Sequence, residues 1–147
     1  MERYAASKLA NTAWMLALAT HLATNPSHAS KTVIAMDPGF MPGTGLYRNQ
    51  PRVMKWLIST LLPNMIVLLR VLYNKNTHTK EESAGNLAWL VISDEVSGKK
   101  GVYFEGRVEH KVGEVAGRKD VQEELWKWTV ERIGETEEER MQFGRVE

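Results

Sequence analysis

The stretch Tyr4-Ala-Ala-Ser-Lys8-Leu-Ala-Asn11 lies in a longer run, from about Glu2 to Ala23, that is rich in Ala, Leu and Met and contains no Gly or Pro. Such a run favours a helix. Its apolar residues fall on more than one face, which predicts a helix buried on most sides. Because side chains four residues apart on a helix are neighbours, Tyr4 and Lys8 are expected side by side, with Asn11 continuing the same face.

Two short strands are expected after this helix. Thr32-Val-Ile-Ala-Met36 is a β-branched, apolar run of the kind found in buried parallel strands. Val102–Glu105 reads as a second strand. Between them, Thr79 and Glu82 match a capping box, which predicts a helix from Lys80 to Ile92. The alternation of helices and strands predicts an α/β fold.

The last third of the chain is expected to be mostly scaffold. Residues 107–118 show no clear period and are predicted to form an exposed loop. Asp120 and Glu123 match an N-cap and N3 pair, which predicts a helix ending at Ile133. The organisation predicted is one domain portion over residues 1–134, followed by a frayed tail over residues 135–147.

Composition limits the classes of partner. The 147 residues suit one domain, and the 19 basic and 18 acidic residues nearly cancel, so net charge argues for neither nucleic acid nor an anionic membrane as the main partner. Without cysteine there is no disulfide, thiolate metal site or cysteine nucleophile, and the four histidines lack paired spacing, so no metal is expected. No secretory signal is recognisable at the N-terminus, so a cytoplasmic protein is expected, with membrane association left open.

A family resemblance rests on two motifs in order. The sequence YAASKLAN, on a helix rich in small residues, is followed by a strand that leads into Asp37-Pro38-Gly39. This arrangement resembles the short-chain dehydrogenase/reductase family, and more narrowly its retinol-dehydrogenase-like and protochlorophyllide-reductase-like branch. The resemblance extends from Tyr4 to about Ile133. It implies the C-terminal portion of a doubly wound, Rossmann-type parallel sheet, here incomplete, with about two strands and four to six helices.

The resemblance also implies a chemistry. A member of this family is an NAD(P)-dependent oxidoreductase that moves a hydride between the cofactor and a carbonyl or alcohol carbon. NADP is favoured over NAD by the resemblance. Tyr4 would be the general acid in reduction and the base in oxidation. Lys8 would bind the nicotinamide ribose hydroxyls and favour the ionised phenol. The spacing alone also fits an amphipathic pair with no catalytic role.

The loop after the first strand is implied to meet the cofactor. Pro38 and Gly39 would lie against its nicotinamide end, and Met41 and Thr44 complete the implied cofactor-binding residues. The family usually has Thr at the fifth position after the proline, where this chain has Gly43 with Thr44 one residue later. The loop glycines also have the spacing of a phosphate-binding turn, but the loop contains two prolines and no helix opens directly after it, which disfavours that interpretation. A plain surface turn is the other alternative.

Members of the family carry several parts before the tyrosine that this sequence lacks: a glycine-rich phosphate turn, a residue that reads the ribose 2′ position, an Asn-Ala-Gly stretch and a catalytic Ser. The chain is therefore expected to correspond to the C-terminal half of such an enzyme, inactive alone. Exposed apolar surface is expected at Val33, Ile34 and the back of the first helix, with self-association through that helix. The alternative is a non-catalytic fragment that associates with a full-length homologue or a membrane surface.

The segment Val53–Tyr73 is unusually apolar. Its uncharged run is too short to span a membrane, and Pro63 is expected to divide it into two short helices. The resemblance makes residues 51–75 a lid over the substrate pocket, which implies a small apolar carbonyl or alcohol substrate. Burial against the sheet edge is a second possibility. A third is interfacial docking with aromatic anchors Trp56 and Tyr73 and basic rim residues Lys55, Arg70 and Lys75.

Overall fold

The computed structural model describes residues 2–42, 49 and 51–145. The chain divides into two compact units. The first comprises Met1–Ala35, Asp94–Phe104 and Glu109–Glu147, and the second comprises Met36–Ser93 and Glu105–Val108. The α/β class predicted from the sequence is confirmed, with a three-stranded mixed sheet accompanied by helices.

The first unit is built on a long helix, α1, which spans Glu2–Thr24 as predicted. Its second half is buried: Met15, Ala19 and Leu22 form a core cluster with Val33. The first turns are exposed, so the expectation of burial on most sides is correct only for the C-terminal half of the helix. Val33 was expected to be exposed, and that prediction is wrong because α1 itself covers this residue.

The sheet has the order β1-β2-β3, where β1 is Val33–Asp37, β2 is Lys100–Glu105 and β3 is Val108–His110. Strand β3 returns from β2 through a tight turn at Gly106, whose φ is +62°, so β2 and β3 are antiparallel and β1 and β2 are the parallel pair of this mixed sheet. Near the amino ends of the parallel strands, the Lys100 ammonium donates to the backbone carbonyl of Ala29 at 2.6 Å.

Helix α7, Lys119–Ile133, packs on α1. The helix begins at Lys119, one residue before Asp120, which was predicted to be its N-cap. The helix has no side-chain N-cap hydrogen bond, and Asp120 pairs with Arg118 instead. The predicted loop over residues 107–118 is wrong because it contains β3 and a short helix, α6, at Glu114–Gly117. The predicted frayed tail is also corrected, because Glu137–Arg145 forms a further helix, α8.

The second unit contains the apolar segment and the capped helix. The segment forms α2 at Arg52–Trp56, one π-helical turn at Leu57–Leu61, α3 at Leu62–Asn64 and α4 at Ile66–Leu72. The two helical limbs Arg52–Leu61 and Ile66–Leu72 meet at 94°. The division into two limbs was predicted, but the chain turns at Met65 rather than at the proline.

Helix α5 spans Lys80–Ile92, as predicted. Both halves of its capping box are present. The Thr79 hydroxyl accepts from the Glu82 amide at 3.0 Å, and the Glu82 carboxylate accepts from the Thr79 amide at 2.9 Å. These bonds satisfy two backbone donors that a helix start otherwise leaves without partners. The local sequence therefore fixes where this helix begins.

Candidate functional site

The Tyr4 and Lys8 side chains are neighbours on the first turns of α1, as their spacing predicts. The Lys8 Nζ lies over the Tyr4 ring, 5.4 Å from its centroid. The Tyr4 side chain is 62% exposed, so the phenol is open to a ligand. Lys8 is exposed as well. The contact in the structure is between an ammonium and the face of a phenol ring, a cation–π arrangement.

The position of this pair follows from the helical period. Tyr4, Lys8, Asn11 and Met15 are spaced by four, three and four residues and therefore share one face of α1. On this face Met15 belongs to the core cluster around Val33, the first residue of β1. The tyrosine and lysine therefore lie on the sheet-facing side of α1, beyond the point where packing on the sheet ends.

A shallow apolar groove of about 300 Å³ lies between α1 and α7. On α1 it is lined by Ala6, Leu9, Ala10 and Ala13. These residues fall on the side of the helix opposite to Tyr4 and Lys8. The groove and the tyrosine–lysine pair are therefore separate features of the first unit.

The Pro38–Gly39 turn lies in the second unit and is held by hydrogen bonds on both sides. The Gly39 amide donates to the Asp37 carboxylate at 2.9 Å, and the Ser83 hydroxyl donates to the Pro38 carbonyl at 2.7 Å. The Phe40 amide donates to the Asn76 carbonyl at 2.7 Å. Three of the backbone groups around this turn are thus already paired within the chain.

Gly39 itself is required by this packing. Its φ is +77°, a left-handed conformation that favours glycine, and a Cβ at this position would lie 2.5 Å from the Asn76 carbonyl oxygen and 2.7 Å from His78 Cδ2. Contacts at those distances are not tolerated, so no other residue fits without displacement of the segment around Asn76. The sequence predicted the turn but not the residues that hold it by hydrogen bonds. Asn76 and Ser83 carry no local signal for this role, since Ser83 is 45 residues from Pro38.

Met41 lines a cavity of about 470 Å³ next to the turn. The walls are mostly apolar, and Lys80 and Ser83 are the polar side chains among the described lining residues. The described lining residues are Met36, Pro38, Met41, Lys80, Ser83, Ala84 and Leu87. Pro38 and Met41 are therefore brought together at one cavity of this unit. Thr44, and Gly43 before it, lie outside the described residues.

Arg70 and Glu82 form a charge pair in the second unit. The Arg70 guanidinium contacts the Glu82 carboxylate and also donates from Nε to the Thr77 carbonyl at 2.6 Å. The Thr79 amide, followed by Arg70, holds the pKa of the Glu82 carboxyl below its usual range. Arg70, a basic rim residue in the predicted interfacial docking, has its guanidinium bound within the protein.

Much of the apolar segment is exposed among the residues that the structure describes. Val67 and Val71 on α4 are 76% and 78% exposed, whereas Ile66 is the buried residue of that helix. Burial of the segment against the sheet edge is therefore excluded for its outward residues. No single helix among the described residues is long and apolar enough to cross a membrane, although the two bent limbs together reach that length and composition.

An aromatic cluster that the sequence did not predict joins α1 to α7. The Trp14 and Trp126 rings are 5.8 Å apart, and the His21 ring stacks on Trp126 at 4.4 Å. His21 Nε2 lies 3.4 Å from a Glu123 carboxylate oxygen. In the part of the chain that the structure describes, His, Asp and Glu side chains form no group of three or more that could hold a metal ion.

Comparisons of this chain with models of protein families, with curated proteins and with solved structures gave no match.

Proposed function

We propose that this chain provides the C-terminal, active-site half of an NAD(P)-dependent oxidoreductase of the short-chain dehydrogenase/reductase type, acting on a carbonyl or alcohol group of an apolar substrate. The observation that carries the proposal is the Lys8 ammonium lying over the exposed Tyr4 phenol on the helix that leads into β1. The Pro-Gly turn after that strand, in the second unit, is the second motif on which the family resemblance rests.

The topology supports the proposal. Strands β1 and β2 are parallel neighbours, and the connection between them contains α5, so the chain has the crossover expected of a doubly wound sheet. Ligands of such sheets bind outside the carboxyl ends of the strands. Asp37, the last residue of β1, leads directly into the Pro38–Gly39 turn. In the described residues no further strand pairs with the outer edge of β1, which leaves that edge open to continue the sheet.

Each unit, taken by itself, has side chains that suit one part of a bound dinucleotide. An exposed ammonium such as that of Lys8 offers N–H donors that match the hydroxyls of a ribose. The mostly apolar walls beside Pro38 and Met41 suit the face of an uncharged or delocalised ring. When bound, the cofactor supplies the hydride. Contact with the turn would be made by these side-chain surfaces, since the Gly39 amide, the Phe40 amide and the Pro38 carbonyl are already paired.

Within this proposal the two residues of α1 have different roles. The Tyr4 phenol donates a proton to the carbonyl oxygen during reduction and accepts it during oxidation. Lys8 orients the ribose and favours the ionised phenol by its positive charge. The 147 residues contain no Thr-Gly-x-x-x-Gly-x-Gly turn, so the proposal requires a second segment to bind the phosphates.

The test is a chimera in which the N-terminal half of a retinol-dehydrogenase-like reductase, with its phosphate turn and catalytic Ser, precedes residue 4. Reduction of long-chain and aromatic aldehydes is followed with NADPH and NADH. Tyr4→Phe is expected to lower kcat by about 10²- to 10⁴-fold, as for the loss of a positioned acid. Tyr103→Phe is the matched control, since this half-buried tyrosine of β2 belongs neither to the tyrosine–lysine pair nor to the predicted lid, and it is expected to keep activity.

A second pair of variants tests the lysine. Lys8→Met is expected to raise the KM for the cofactor and to lower kcat, whereas Lys31→Met, at another exposed lysine, is expected to change neither. A folded chimera that turns over equally well with Phe and Tyr at position 4 would refute the proposal. An inactive chimera, combined with co-purification of the 147-residue chain with a full-length reductase, would instead favour the non-catalytic alternative.

A further inference from the structure

The charge of the chain is unevenly distributed. Although the net charge is only +1, no acidic residue occurs between Asp37 and Glu81. This part of the sequence contains six basic residues: Arg48, Arg52, Lys55, Arg70, Lys75 and Lys80. A cationic stretch of this length within a neutral chain favours contact with an anionic surface.

The same stretch holds the most exposed apolar surface of the second unit. The outward face of α4 consists of four aliphatic residues, and α2 with the π-helical turn that follows it adds five more exposed apolar side chains. On α4 these residues are Val67, Leu68, Val71 and Leu72, and in the preceding limb they include Val53, Met54, Trp56, Leu57 and Leu61. A dense set of exposed apolar side chains flanked by cations is typical of a segment that contacts another apolar phase.

Three of these cations are exposed in the same segment as the exposed apolar residues. Arg52 and Lys55 are exposed on α2, and Lys75 is exposed just after Tyr73. Lys and Arg side chains at such positions can keep their charge in the headgroup region while their stems lie along apolar surface. Trp56 is 60% exposed, and aromatic rings of this kind favour the membrane interface. Arg70 takes no part, because it pairs with Glu82.

We propose that the segment Arg52–Lys75 docks on the surface of a bilayer that contains anionic phospholipids. The two limbs meet at 94°, and neither is long enough to cross a membrane, so they lie in the interface with their apolar side chains inserted. The cations are attracted to the negative surface potential of the lipid headgroups. The inference is independent of the catalytic proposal, because it rests on a different segment and on different side chains.

The first test is flotation of the 147-residue chain with phosphatidylcholine vesicles that contain phosphatidylserine or lack it. Binding is expected with the anionic vesicles and is expected to weaken with added salt. Val67→Ser/Val71→Ser is expected to weaken binding by about tenfold or more, because two inserted aliphatic side chains are lost. Val91→Ser/Ile92→Ser on α5 is the matched control, since these residues are 77% and 79% exposed, and it is expected to bind like the parent chain.

The second test addresses charge. Arg52→Gln/Lys55→Gln is expected to weaken binding to anionic vesicles by about 25-fold, at about fivefold for each cation near the surface. Lys111→Gln/Lys127→Gln removes the same charge from exposed positions elsewhere and is expected to have little effect. Equal loss in both pairs would overturn the proposal, since net charge alone would then explain binding.

Three other results would also overturn it. The first is absence of binding to either kind of vesicle. The second is resistance of the bound chain to extraction with alkaline carbonate, which would indicate insertion across the bilayer. The third is a lipid-free dimer that is abolished by Val67→Ser/Val71→Ser, which would show that a second copy covers the face.

Discussion

Replacement of Gly39 by alanine tests whether the Pro38–Gly39 turn is fixed by its own chain. The φ of +77° is unfavourable for an L-residue by about 1–2 kcal/mol. The added Cβ would also lie 2.5 Å from the Asn76 carbonyl oxygen and 2.7 Å from the Asn76 side-chain oxygen. Relief of such overlap in a packed region costs about 1–3 kcal/mol. Alanine recovers about 0.4–1 kcal/mol by restricting the unfolded chain. The expected destabilisation is therefore about 2–4 kcal/mol.

The measurement is native-state amide hydrogen exchange, which reports local opening. The informative amides are those of Phe40, bonded to Asn76, and His78, bonded to Phe40. A loss of about 2–4 kcal/mol corresponds to exchange about 30- to 1,000-fold faster at these two positions. Gly85→Ala is the control, because a Cβ there meets nothing within 4 Å and Gly85 lies inside α5. It is expected to stabilise the helix by about 0.5–1 kcal/mol.

Unchanged exchange at Phe40 and His78 in Gly39→Ala would refute the reasoning. It would mean that the glycine is not required by the folded chain itself. If the glycine were needed solely for close approach of a cofactor, the substitution would leave the free protein unaltered and would affect ligand binding alone. The two explanations of this glycine are thereby separated without any knowledge of the substrate.

Three further predictions concern α5 and the isolated chain. Thr79→Ala removes the acceptor for the Glu82 amide and is expected to lower the free energy of unfolding by about 1 kcal/mol in urea denaturation, whereas Thr79→Ser is expected to have little effect. The pKa of the Glu82 carboxyl is lowered from 4.5, so its stabilising contribution is complete above pH 4.5 and is lost as pH falls through the folded-state pKa; an acid titration of Glu82→Gln should lack that loss. Calorimetry of the 147-residue chain alone is expected to show no tight binding of NADPH or NADH, and micromolar binding would contradict the requirement for a second segment.

Features fixed by neighbouring residues were predictable from the sequence. Helix α5 was located to the residue, because its capping box lies within four residues and its bonds are local. The Tyr4–Lys8 contact was predictable for the same reason, since the helical period alone makes them neighbours. The catalytic role of that pair is a different matter, because it depends on partners that no local pattern specifies, and it stays a prediction.

Features that depend on distant residues were missed. Strand β3 is three residues long and exists because Gly106 turns it back onto β2, so its own sequence has no strand period to detect. The Pro38–Gly39 turn is held by the Ser83 hydroxyl, which donates a hydrogen bond to the Pro38 carbonyl from 45 residues away in the sequence. Helix α8 begins with an acidic run, Glu137–Glu139, that resembles a solvated tail in the sequence. Acidic residues in the first turn are in fact favourable at a helix start.

Arg70 shows how the difference between local and distant contacts bears on function. In the sequence it is one of several cations beside an apolar run and is indistinguishable from Lys55. In the structure its guanidinium is held by the Thr77 carbonyl and the Glu82 carboxylate, while Lys55 is exposed. Replacement of Arg70 would therefore remove the contacts with Thr77 and Glu82 as well as reduce the positive charge. A loss of membrane binding in such a variant would then have two causes. Only cations outside this network, such as Arg52 and Lys55, can report on attraction to the bilayer itself.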